Sequence, residues 1–430
     1  MERVFAAYDL AGAFRMAQLA IVEGPLDEDL LDRALLSVAE RHALLRARIG
    51  DGPGGPRFEI ERSLRSELEV RRPAPAEIAE GEVAGLAEEL VRVSYDPGRP
   101  LWRCVLQPGP RPGGPHLLAL ASHHSLMDGL SGYRVLCDIV EACDDLHGGR
   151  PAPRLLPLPP ALDDLSGPVR LRARLRYRLR VLRALALGRR TGLPLESAAG
   201  PGERRQRFAC ATTEPGVLDA LRPSARARGA TVGGVLAAAV LEAARGAFSI
   251  RDGTRISFSQ QMSLRRALGV GPEVVGSYAV RIVDWPRVRA RDDWWERARA
   301  LTRALQQGVH PEVLLAGVAA TRSGIRQLPE IIARAVNDGT TCGRTGALML
   351  SNRGALPAPR SGSLAIRRCW SCSGNATVGD LVQVWGGGRE DRLCLMFGWV
   401  EPLVSNATAG RFVAGVREAL ARAAGAAAPR

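Results

Sequence analysis

The chain of 430 residues contains no lysine, and all 59 of its basic residues are arginine. Against 45 acidic residues this gives a formal net charge of +14. An all-arginine complement beside 47 glycines and 29 prolines is what GC-rich codon usage produces, so the excess charge does not by itself indicate a nucleic-acid partner. Aromatics make up only 5% of the residues, too few for base-stacking platforms, and no nucleic-acid-binding motif is present. No uninterrupted apolar run reaches the roughly 18 residues of a membrane span. The opening MERVFAAYDLAGAFRMAQLAIVEG carries Glu2, Asp9 and Arg15 among its apolar positions, which does not fit a secretory signal. With 46% hydrophobic and 24% charged residues, the composition is that of an ordinary globular protein, and a cytoplasmic enzyme is the expectation. The length exceeds what one core usually fills, so two domains are expected.

Cysteine is modest in number and scattered: Cys104, Cys137, Cys143, Cys210, Cys342, Cys369, Cys372 and Cys394. Most lie in apolar runs. Cys369-Trp-Ser-Cys372 has redox or half-zinc-site spacing, but no second pair completes a metal site. Reduced core thiols are the simpler expectation.

What is present alternates between strand and helix patterns. Met16–Glu23, Arg57–Ile60, Trp102–Leu106 and Leu117–Ser122 read as strands. Asp27–Arg48 reads as a helix with Leu31, Leu35, Val38, His42 and Leu45 on one side, and another from about Ser131 presents Leu136, Ile139, Val140 and Cys143. A Pro-rich stretch from Gly148 to Pro160 then marks a linker or crossover. Beyond it, Val169–Arg190 interleaves the seven arginines from Arg170 to Arg183 with Leu171, Leu175, Leu179 and Leu182 at helical spacing. The ordinary reading of this basic helix is a solvated face over a hydrophobic stripe. Contact with an anionic membrane surface, or with an acidic carrier protein or coenzyme phosphate, are the sharper ones. A second run follows, with helices at Pro215–Arg228, Thr231–Arg245, Asp292–Gln307 and Glu312–Ile325. Strands are expected at Arg255–Gln261, Ala347–Ser351 and Arg392–Trp399, with a closing helix carrying Phe412, Val416 and Leu420. The expected organisation is an N-terminal half at 1–165, a crossover at 166–205 and a C-terminal half at 206–430, each half mixed α/β.

One constellation carries chemistry. The strand LLALAS runs into His123-His124-Ser125-Leu126-Met127-Asp128-Gly129, which a helix follows. A histidine at a strand end is fixed yet able to reach a cleft, and imidazole suits proton abstraction from a hydroxyl or amine near neutral pH. An isolated histidine would more simply be a core or loop residue. Metal binding would need a third ligand at ordinary spacing, and none is seen. The absence of a G-x-S-x-G elbow and of a lysine-bearing phosphate loop argues against a serine hydrolase or a kinase. A histidine base without a nucleophilic serine fits direct transfer of an activated acyl group.

HHSLMDG resembles the HHxxxDG signature of the condensation-domain and CoA-dependent acyltransferase superfamily. That superfamily includes condensation domains of nonribosomal peptide synthetases, wax ester synthases and mycobacterial polyketide-associated acyltransferases. RHALLRARI, YDPGRPLWRCVL, TVGGVLAAAVLEA, ISFSQQMSLRRALG, VVGSYAV and LSNRG are similar to flanking segments of that superfamily. The opening ERVFAAYD is most like the stand-alone polyketide-associated enzymes. FGW at Phe397–Trp399 lacks the leading aspartate of the plant acyltransferase DFGWG and reads as packing.

The resemblance implies an α/β fold, an α+β sandwich of two chloramphenicol-acetyltransferase-like halves in a V-shaped pseudo-dimer with the active site at their interface. It makes His124 the general base, His123 a support of the loop, and Asp128 a structural partner of an arginine, Arg265 in SLRR with Arg266 as alternative. The Gly129 N–H becomes an oxyanion donor, and Ser125 and Asn352 line the substrate tunnel. The implied donor is an acyl thioester on coenzyme A or on an acyl or peptidyl carrier protein, and the acceptor a small-molecule alcohol or amine. No metal or redox cofactor is implied. Some members of the superfamily recruit a partner without transferring an acyl group, so a catalytically silent docking module is the second reading.

Overall fold

The structure is a computed structural model that describes residues 2–425 apart from 53–54, 64, 97–98, 112, 151–153, 166, 189–191, 291, 308–309 and 361. Positions 166, 189 and 190, at the edges of the expected crossover and basic helix, therefore lie outside the described residues, as do 151–153 of the Pro-rich stretch.

Two sheets organise the chain. The first has five strands, in spatial order Ala365–Ser373, Arg15–Glu23, Pro115–His123, Trp102–Gln107 and Leu68–Val70. Arg15–Glu23 and Pro115–His123 read as near-continuous apolar runs because both of their faces are covered. Met16, Ala20, Val22, Leu118 and Leu120 pack against the helices Glu28–Arg41 and Gly129–His147. Ala17, Leu19, Ile21, Leu117 and Ala119 face the opposite way, towards the helix Glu80–Leu90 and towards Met349, Trp385 and Met396 of the second sheet. One apolar layer thus joins the two sheets.

The second sheet has six strands, in the order Ala279–Asp284, Phe258–Ser263, Arg344–Ala355, Gly379–Arg389, Arg392–Glu401 and Arg205–Thr212. It is mixed: Arg344–Ala355 runs parallel to both of its neighbours, and the other pairings are antiparallel. Helices Val217–Ala227, Val232–Ala247 and Asn406–Ala424 close it with a second core. The mixed α/β class expected from the sequence is the one observed. The edge strand Ala365–Ser373 leaves the C-terminal half to pair with Arg15–Glu23, Met16 facing Ser373, so the first sheet is completed by a segment distant in sequence.

One helix boundary is corrected. The helix expected over Asp27–Arg48 ends at Arg41, and Ala43–Arg46 forms a separate 3-10 turn. The cause lies at His42, which adopts an extended backbone and brings its buried Nε2 within 2.7 Å of Asp138 Oδ2 on the helix Gly129–His147. The strand Gly379–Arg389 has no counterpart in the sequence reading; it contains three successive glycines, Gly386–Gly388, yet every one of its residues is buried. Cys369 and Cys372 lie within the strand Ala365–Ser373, three residues apart and therefore on opposite faces. They pack in different cores, and all eight cysteines are buried free thiols.

The largest departure is the arginine helix, Leu171–Gly188. Four of its leucines are not packed. Leu171 is 73% exposed, Leu175 51%, Leu179 66% and Leu182 62%, whereas Ala173 is buried and Tyr177 touches Gly317. The hydrophobic stripe points to solvent.

Candidate active site

The motif strand Pro115–His123 lies between Arg15–Glu23 and Trp102–Gln107, and the loop after it is short. Leu126 N–H turns back to the His123 carbonyl at 3.1 Å. His123 is buried. Its Nδ1 accepts the Ser125 N–H at 3.1 Å and lies 2.6 Å from Ser125 Oγ. On the other side of the ring, Nε2 faces Asp9 Oδ2 at 3.7 Å, and Asp9 is held by Arg15 Nε at 2.7 Å. Burial drives the His123 pKa down to about 4 in spite of Asp9, so the ring is neutral at physiological pH and braces the loop.

His124 has a different setting. Phe5 of the N-terminal helix Glu2–Leu10 stacks flat on its imidazole, with centroids 4.0 Å apart and planes 5° from parallel. Among the described residues its buried Nδ1 has no partner in hydrogen-bonding geometry. Burial lowers its pKa below the usual 6.5, while the carbonyls of His124 and Met127 and the Asp128 carboxylate act the other way. The ring is thus neutral near pH 7.

Asp128 joins three elements. Its Oδ1 caps the helix Gly129–His147 by accepting from Leu130 N (3.1 Å) and Ser131 N (2.9 Å), the usual N-cap contact. Its Oδ2 accepts the Tyr278 N–H at 2.9 Å and meets Arg265 Nη2 at 3.4 Å. Arg265, itself buried, also donates to Val274 O (2.7 Å) and Ser131 Oγ (2.6 Å) and lies over the Tyr278 ring. Arg266 is exposed. The loop around Gly276 completes the lock, with the Asp128 N–H donating to Gly276 O at 3.1 Å and Ser131 Oγ donating to the same carbonyl at 2.6 Å. The motif loop is thereby pinned to the second half of the chain.

Gly129 is the first residue of the helix. Its φ is not left-handed, and a Cβ there would meet only Arg353 Cδ at 3.6 Å, an ordinary contact. Neither backbone nor internal packing demands a glycine. Among the described residues its N–H has no acceptor. Arg353 is fixed above it by Gln18 Oε1 (3.0 Å) and Cys369 O (3.3 Å).

A cavity of about 640 Å³ opens beside Ser125, Gly276 and Tyr278, with Leu158, Val318 and Arg322 among its other walls. His124 is not among its lining residues; Glu2, Arg3 and Val4 are, so the N-terminal helix carrying Phe5 stands between the cavity and the imidazole. Asn352 is also outside the lining and bonds locally, its Oδ1 accepting from Gly354 N at 3.0 Å. Of the residues singled out from the sequence, the structure brings together His123, His124, Ser125, Asp128, Gly129 and Arg265. The sequence did not disclose Phe5, Asp9, Ser131 or Arg353. The only signals for them were their places in ERVFAAYD, in the first turn after HHSLMDG, and one residue after the asparagine of LSNRG.

Residues 55–237 match the family model of the wax ester synthase/diacylglycerol acyltransferase catalytic domain. A stretch of 163 residues, 37% of the chain, is 32% identical to the probable non-canonical nonribosomal peptide synthetase CymA of Salinispora arenicola. That stretch amounts to 2% of the length of that protein. Among solved structures, the condensation domain of Monacolin K polyketide synthase MokA is similar with a TM-score of 0.70 at 15% identity, covering 100% of this chain and 97% of that one. Polyketide synthase associated protein 5 of Mycobacterium tuberculosis gives 0.67 at 17% identity, covering 97% and 95%. At such identities the structural likeness speaks for the fold. The family match runs through HHSLMDG, and the fold is that of the condensation domains.

Proposed function

We propose that the chain is an acyltransferase that moves an acyl group from a thioester, on coenzyme A or on a carrier protein, to a hydroxyl or amine acceptor. The observation that carries this reading is the pairing of a neutral His124 with an unengaged Gly129 N–H on a loop that Asp128 and Arg265 hold rigid. His124 takes the proton of the acceptor as its oxygen or nitrogen attacks the thioester carbonyl. The tetrahedral oxyanion meets the Gly129 N–H, whose approach a side chain would narrow. Collapse breaks the C–S bond, and the imidazolium returns the proton to the leaving thiolate. The step balances without a metal or redox cofactor. The step requires the N-terminal helix to lift Phe5 from His124, and orienting both substrates there supplies much of the rate.

The test is thiol release with mass spectrometry of the product, across a panel of acyl-CoA and carrier-bound donors with alcohol and amine acceptors. His124→Ala is expected to lower turnover about 10²- to 10⁴-fold while leaving the unfolding temperature unchanged. The wild-type rate is expected to hold through neutral pH and fall only at a pH below 6.5, because protonation of a base whose pKa is lowered disables it there. Equal turnover by the variant would sink the assignment. The Phe5 ring over His124 favours a second reading, a silent module that docks a carrier protein. Tight carrier binding with no His124-dependent product would establish it.

A further inference from the structure

We propose that the arginine helix, Leu171–Gly188, docks the protein on an anionic lipid surface, lying in the interface rather than crossing it. At 100° per residue, Leu171, Leu175, Leu179 and Leu182 fall within an arc of about 80°, and each is more than half exposed. Ala173, Tyr177 and Arg180 fall on the opposite side. That side meets the body: Ala173 is buried, Tyr177 lies against Gly317, and Arg180 reaches Asp284 at 3.4 Å. The leucine stripe therefore points away from the fold along about 16 Å of helix.

Both edges of the stripe are cationic. Arg174 and Arg178 border it on one side, and Arg172, Arg176 and Arg183 on the other. Between Asp164 and Glu196 the chain holds nine arginines and no acidic residue. Glu312 engages Arg170 and Arg172, and Asp284 engages Arg180. Arg174, Arg176 and Arg178 have no ion-pair partner among the described residues and stand exposed. Apolar side chains between two rows of arginines match a lipid interface, where leucines enter the acyl boundary and guanidinium groups snorkel to phosphates. A second copy of the chain fits worse, since facing stripes would bring two such arginine rows together. An acidic protein would satisfy the arginines and leave the leucines without a purpose. Among the described residues no single helix is long and apolar enough to cross a membrane. The docking does not depend on the acyl-transfer reading.

The test is sedimentation of the full chain with vesicles of phosphatidylcholine alone or mixed with an equal part of phosphatidylglycerol, at about 50 mM and about 500 mM salt. Binding to the anionic vesicles is expected to exceed binding to neutral ones by about tenfold or more at low salt and to weaken at high salt. The exposed-site variant Leu175→Glu/Leu179→Glu is expected to lose binding about tenfold with an unchanged melting temperature. Arg174→Ser/Arg178→Ser should weaken it and flatten the salt dependence. Equal sedimentation with both lipids, or undiminished binding by the leucine variant, overturns the proposal. So does a wild-type dimer that the leucine variant converts to monomer in light scattering without any vesicle binding, which would assign the stripe to a second copy.

Discussion

The helix that follows the histidine motif and the arginine helix are nearly equal in length, 19 and 18 residues, and both carry large apolar side chains at helical intervals. In the first, Leu136, Ile139, Val140 and Cys143 are buried to 1% exposure or less. In the second the corresponding leucines are more than half exposed. The difference comes from what the opposite face offers. Opposite its core face, the motif helix carries Arg134 and Glu141, which pair with each other in partly open positions, and its apolar side packs into the core. The arginine helix has Ala173 and Tyr177 behind its leucines, and Gly317 on the neighbouring helix Pro311–Gly324 lets the Tyr177 ring approach so closely that a Cβ there would sit 2.8 Å from it. Small and flat residues make the tighter seat, and the leucines are turned outward. Periodicity defines a face, and the partner surface decides where that face goes.

That contrast can be broken at its strongest point first. Asp128 begins the motif helix, and Asp128→Ala removes both its cap and the carboxylate facing the buried Arg265. A loss of about 3–5 kcal/mol in unfolding free energy is expected, as for breaking a buried pair from one side. Asp128→Asn keeps the cap oxygen and should lose less. A loss below about 1 kcal/mol in urea denaturation would show that the remaining carbonyl partners of Arg265 suffice. Next comes Leu136→Ala, in the buried stripe, where the transfer and cavity terms together predict a loss of about 2–5 kcal/mol.

The site was legible in the sequence where its parts are local. His123, His124, Asp128 and Gly129 sit on one strand-loop-helix unit, and a rare pair of histidines before an Asp-Gly marks it. Arg265 was reached only through resemblance, since 137 residues separate it from Asp128. Phe5 over His124 and Asp9 beside His123 were not legible, because nothing in ERVFAAYD says that this helix folds back across the motif. The fold shows the same limit. Both-face burial made Arg15–Glu23 and Pro115–His123 easy to recognise, whereas the pairing of Ala365–Ser373 with Arg15–Glu23 depends on a contact across most of the chain. The three glycines of Gly379–Arg389 hid a buried strand, because their want of side chains looks like a turn until Leu218, Leu236 and Leu356 are packed against them.

The smallest expected effect is the sharpest form of the comparison. Leu175→Ala makes the same chemical change as Leu136→Ala, in a helix of similar length, but on a side chain that is 51% exposed. No cavity forms, and little apolar area returns to water on unfolding. Alanine is also the better helix former, so intrinsic propensity opposes any loss. The change in unfolding free energy should stay within about 0.5 kcal/mol of zero, several-fold below the buried counterpart, when both are measured by urea denaturation under one set of conditions. A loss at Leu175 comparable to that at Leu136 would mean that the stripe is covered in solution by part of the protein itself or by a second copy. The exposure on which lipid docking rests would then be gone. A near-zero value leaves four leucines that do nothing for the fold, and a stripe that the fold does not use has to be explained by what it meets outside.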